Sequence, residues 1–153
     1  MSDLNALSIA VEAATRKRDN ARTVVQAALA SQQAASAQLN QLNDYARETE
    51  ARWGVRADAT IQPEVMYHHY QFMDRLGHAS GIQGGVVNDQ AGRVQAAQTA
   101  LLQAELRLSS LRKVVDKRRH DLELLQTRRD QKQTDERAAQ QYASASQSSQ
   151  DQE

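Results

Sequence analysis

One spacing of apolar residues constrains this chain more than any other feature. Stepping three and four residues from Leu4 gives Leu4, Leu7, Val11, Ala14, Arg18, Ala21, Val25, Ala28, Gln32, Ala35, Leu39, Leu42, Ala46 and Thr49, and all but Arg18, Gln32 and Thr49 are apolar. That is the inward-facing repeat of a coiled coil, in phase over successive heptads and interrupted by no Pro or Gly. A second run obeys the same rule: Val94, Ala97, Leu101, Ala104, Leu108, Leu111, Val115, Arg118, Leu122 and Leu125, broken only by Arg118. Beyond it the same positions hold Arg129, Lys132 and Glu136, so the apolar stripe ends although a helix can continue.

Between the two runs lies the one strong break. Gly54 stands where a helix would stop, and Pro63 reads as a first-turn residue with Glu64 behind it. A short connection between two long helices makes them antiparallel. The predicted fold is all-α: a long two-helix antiparallel coiled-coil hairpin over residues 1–143, with a helix at about 3–53, a loop at 54–62 and a helix at about 63–138. The polar, low-complexity stretch 144–153 is expected to be a disordered tail. The first helix spans about 50 residues, roughly 75 Å. Pairing outward from the loop sets Leu4 near Lys113, so the rest of the second helix should overhang. Gly77, Gly81, Gly84, Gly85 and Gly92 fall early in that helix. Each costs a helix about 1 kcal/mol relative to Ala. They read as close helix–helix contact, as plain tolerance, or as a bendable segment.

Composition narrows the function. Aromatic residues are 4% and Pro 1, which suits continuous helix and not a sandwich or a layered α/β core. The 19 basic and 19 acidic residues cancel, which argues against nucleic acid as a partner. Cys is 0, so thiolate ligands, disulfides and Cys nucleophiles are excluded. The adjacent His68 and His69 point about 100° apart on a helix and chelate poorly together. No phosphate loop, zinc-protease motif or calcium loop is present. The expectation is a protein that is not an enzyme, with no cofactor, metal or small-molecule substrate. It shows neither a signal peptide nor an apolar span, which places it in the cytoplasm.

Two groups of side chains stand out as contact candidates. Met66, Tyr67, Tyr70, Phe72, Met73 and Leu76 hold most of the large side chains, and Phe72, Leu76 and Ala79 share one helical face. Gln38, Leu42 and Tyr45 form a similar stripe on the first helix. These either staple the hairpin or dock a protein partner. Arg112, Lys113, Lys117, Arg118 and Arg119 form a basic run interleaved with acids, read as a solvated face or as a contact for an acidic protein surface.

The stretch Tyr70-Gln71-Phe72-Met73-Asp74-Arg75-Leu76 with Ala79 resembles the central signature of the flagellar export protein FliJ family. Arg129-Asp130-Gln131-Lys132-Gln133-Thr134-Asp135-Glu136 resembles that family's late stretch, and Gln38, Leu42 and Tyr45 match a third patch. The resemblance covers nearly the whole chain. It implies a stalk-like adaptor of the flagellar type III protein export apparatus, serving flagellum assembly and motility. Such an adaptor would bind a hexameric export ATPase and regulate it, touch the cytoplasmic domain of the export gate membrane protein, and escort export chaperones. It would be monomeric on its own and peripherally associated with the inner-membrane apparatus. Gate contact would fall to Phe72, Leu76, Ala79 and Gln83, with Gln38, Leu42 and Tyr45 as a second stripe. The basic run Arg112, Lys113, Lys117, Arg118 and Arg119 is expected to meet the ATPase ring. The chain departs from the family pattern at Gln83, often His, and at Thr49, often Tyr. The alternatives are a virulence-type secretion stalk and a structural coiled coil that self-associates.

Overall fold

A computed structural model describes residues 2–56 and 62–152. They form two helices, α1 (Ser2–Arg56) and α2 (Pro63–Gln150). Among the described residues there is no strand. The hairpin is antiparallel, as expected. Cross-helix pairs fall on one helix as they rise on the other: Arg22 with Glu105, Ala35 with Gln83, Tyr45 with Phe72, Trp53 with His69.

The start of α2 follows from local chemistry. Pro63 occupies the first turn, where its missing N–H costs nothing. The Gln62 carbonyl accepts from the N–H groups of Val65 and Met66, at 3.1 and 3.2 Å. The end of α1 differs from expectation. Gly54 does not stop the helix, which runs on to Arg56. Gly terminates helices by adopting a left-handed conformation, and an interior Gly costs only about 1 kcal/mol, which a long helix absorbs. The loop's residues 57–61 lie outside the described residues.

The C-terminus also differs from expectation. The stretch expected to be disordered continues α2 as far as Gln150. The reason is local. Ala143, Ala145 and the glutamines are good helix formers, and elongating an existing helix avoids the cost of nucleation. Serine hydroxyls donate back to the preceding turn, Ser144 to Gln140 O at 3.0 Å and Ser149 to Ala145 O at 2.9 Å.

Contacts divide the chain into two compact units. The first joins Met1–Ala14 to Arg107–Glu153. Its core is Leu108, 2% exposed, with Ala14 buried and Leu7, Val11, Leu111 and Val115 half-buried. Burying a Leu in full contributes about 1.5–3 kcal/mol. Arg118 closes this core by an ion pair to Asp3 at 3.0 Å. From Arg119 to Gln150 every residue is exposed, which leaves roughly 50 Å of helix at 1.5 Å per residue without a partner helix.

The second unit is Thr15–Leu106. Its seam is lined on α1 by Ala21, Val25, Ala28, Gln32, Ala35, Leu39, Leu42, Ala46, Thr49 and then Trp53, all half-buried or buried. On α2 the three-four spacing runs unbroken through Met66, His69, Met73, Leu76, Ser80, Gln83, Val87, Gln90, Val94, Ala97, Leu101 and Ala104, every one at least half-buried. The seam therefore passes straight through the glycine-rich stretch. An alanine seam lets the backbones approach closely but buries little area per residue.

Candidate functional site

The aromatic cluster of the second unit is built by the seam and its flank. Trp53 and His69 both occupy seam positions, and their rings stack at 4.1 Å with 27° between planes. One position outside the seam, Tyr45 meets Phe72 edge-on, centroids 6.0 Å apart at 83°. That edge-to-face geometry suits the ring quadrupoles. Gln71 donates its side-chain amide to the Tyr67 hydroxyl at 2.9 Å. Tyr67, Tyr70, Tyr45 and Phe72 nevertheless remain largely exposed, Phe72 at 40%.

The two stripes expected from sequence converge. Tyr45 touches Phe72, and the Gln83 amide donates to Ala35 O at 3.0 Å and to Gln38 Oε1 at 3.1 Å. Gln38 and Tyr45 on α1, with Phe72 and Ala79 on α2, occupy the positions just before a seam residue. In an antiparallel pair those positions face each other, so the four line one side of the unit.

The stripes are not uniformly on the surface, however. Leu76 is buried, and Gln83 and Leu42 are half-buried, because all three fall in the seam itself. What faces outward on α2 is Val65, Phe72 and Val86, in a column seven residues apart whose remaining member, Ala79, is half-buried. Val65 and Val86 escape a search for three-four spacing, since a flanking column repeats only every seven. Trp53 and His69 were equally invisible as a pair. Continuing the seam spacing from Thr49, and stepping back from Val94, would have found them.

The basic run lies in the first unit. Arg112, Lys113, Lys117 and Arg119 are exposed, and Arg118 is held by Asp3. At 100° per residue these five do not share a face. They encircle α2 as a belt, with Asp116 and Asp121 among them. Beside the belt an open groove is lined by Ala6, Leu7 and Val114 together with Asp3, Lys117, Arg118 and Asp121. Beyond it Leu122, Leu124 and Leu125 are exposed on the unpartnered helix.

Among the described residues no group of three or more His, Asp or Glu is placed to hold a metal ion. No described helix is long and apolar enough to cross a membrane.

These features define a class: an antiparallel two-helix coiled coil that exposes aromatic and charged side chains on its helix flanks. Residues 4–147 match the sequence model of the family described as flagellar FliJ protein. The chain belongs to the FliJ family, and with it goes a role related to flagellar protein export. No individual curated protein and no solved structure matched in the same comparisons.

Proposed function

We propose that this chain is the stalk-like adaptor of the flagellar type III export apparatus. On this reading it engages the hexameric export ATPase through the basic belt and the unpartnered part of α2. It engages the cytoplasmic domain of the export gate through the flank of Tyr45, Phe72 and Ala79, with Gln38, Leu42, Leu76 and Gln83 as support. It escorts export chaperones, regulates the ATPase without hydrolysing ATP itself, and works as a monomer in the cytoplasm beside the inner-membrane apparatus. The observation that carries the gate assignment is the convergence of two separate stripes into one exposed aromatic flank. A belt of charge beside the start of the unpartnered part of α2 likewise suits a partner that encloses the stalk there.

The test pairs stability with binding. A fully buried Phe loses about 3–5 kcal/mol on truncation to Ala. Phe72 is 40% exposed, so Phe72→Ala should cost about 1 kcal/mol, the commonest size of effect for a point substitution. An aromatic anchor in an interface contributes about 2 kcal/mol or more, close to thirtyfold in affinity. Phe72→Ala and Ala79→Asp should keep their helicity by circular dichroism and lose capture by the gate's cytoplasmic domain. Full capture by both variants rejects the assignment.

A further inference from the structure

We infer that α2 between Gly77 and Gly92 is a built-in site of local opening, at which one strand of the hairpin loosens while the facing stretch of α1 stays helical. The argument begins with the glycines. A glycine inside a packed helix is usually explained by a close approach that a Cβ would block. Here a Cβ built at Gly77, Gly81, Gly84, Gly85 or Gly92 meets nothing within 4 Å. None of the five takes a positive φ, so no turn requires them either. They weaken the helix without a packing return.

The seam over the same stretch is weak for a separate reason. Between Leu76 and Val94 no residue is fully buried, and the seam positions are Ser80, Gln83, Val87 and Gln90. On α1 the opposing stretch brings Gln32 and Ala35 to the seam, with Leu39 and Leu42 only toward its Leu76 end. Only Val87 brings a large apolar side chain to this part of the α2 seam. The pair of bonds from the Gln83 amide to Ala35 O and Gln38 Oε1 is the polar clasp across it. A stretch with few buried apolar contacts opens at a lower free energy than its surroundings.

The two strands respond differently. The facing part of α1 carries Ala27, Ala28, Ala30, Ala34, Ala35 and Ala37. Ala is the best helix former and Gly among the worst. When the seam parts, α1 keeps its hydrogen bonds by propensity and α2 does not. Opening is therefore one-sided. It also frees Gln83 and uncovers the edge of Leu76, two residues the gate-docking reading assigns to a partner. The inference itself stands on the glycines and the seam, whatever that partner proves to be.

Hydrogen exchange read by mass spectrometry on the full chain tests it. Amides of 77–92 should exchange at least tenfold faster than those of 27–37 and of 94–106. A variant with Gly77→Ala, Gly81→Ala, Gly85→Ala and Gly92→Ala fits without clash. Each replacement should slow exchange in the segment about fivefold, the ratio equivalent to about 1 kcal/mol of helix propensity. The effects multiply where the residues open together. Equal exchange of the two strands in the unmodified chain overturns the inference. So does a four-alanine variant whose segment exchanges as fast as before. Gate capture, measured on the same variant, bears on the docking reading alone.

Discussion

The seam of Thr15–Leu106 and the helix of Arg119–Gln150 are both continuous α-helix, yet different forces hold them. In the seam, every third and fourth residue is at least half-buried against a partner helix. From Arg119 to Gln152 every residue is exposed. The first is held by tertiary contact and tolerates five glycines, which are poor helix formers, together with several polar seam residues. The second has only its own composition to rely on and is accordingly rich in Gln, Arg and Ala, with acids and bases close in sequence. Helix in the seam is a property of the pair, while helix in the overhang is a property of the strand.

The largest effect that can break this contrast is expected at Leu108, the most deeply buried side chain. Leu108→Ala should destabilise by about 2–5 kcal/mol in urea denaturation, the range for a buried Leu. A change below about 1 kcal/mol would mean that the core of its unit adds little. Next comes the belt. Arg112→Glu, Lys117→Glu and Arg119→Glu together should weaken capture of the export ATPase at least tenfold, about 1.4 kcal/mol. Stability should barely move, since exposed substitutions usually stay within about 0.5 kcal/mol. Added salt should weaken the unmodified contact, because exposed charges are screened over about 8 Å at physiological ionic strength. Undiminished capture by the triple variant removes the belt from the interface. The smallest effect is expected at Leu125. It obeys the same spacing as Leu108 but is 50% exposed, so Leu125→Ala should shift stability by no more than about 0.5 kcal/mol. A larger loss would reveal a partner for the overhang, for instance a second copy of the chain.

Much of the fold was legible because apolar spacing is a direct record of burial. Each residue in the run from Leu4 to Thr49 is at least half-buried, and Val94 to Val115 agrees in the same way. Arg118, Leu122 and Leu125 keep the spacing but are exposed, since a stripe is buried only where a second helix lies alongside. From Met66 to Gln90 the seam is legible only by stepping back from Val94, because the polar His69, Ser80, Gln83 and Gln90 interrupt the hydrophobic period. The docking stripes were named from helical faces, and such faces combine seam residues such as Leu76 with flank residues such as Phe72. Whether a face looks inward depends on register with the other helix. That is why Phe72 lies outside the seam and Leu76 within it.

Gln83 carries a consequence for alignment. The seam of α1 is rich in alanine, so sliding the strands by a heptad meets less steric resistance than it would along a seam of large side chains. A polar side chain with a fixed acceptor behaves differently, since a slipped pairing leaves it without its partner. The Gln83 amide finds Ala35 O and Gln38 Oε1 in this register. A single seam amide of this kind lowers stability and selects one alignment over its neighbours. Gln83 thus helps to index the hairpin, and the flank of Tyr45 against Phe72 depends on the register that this contact favours.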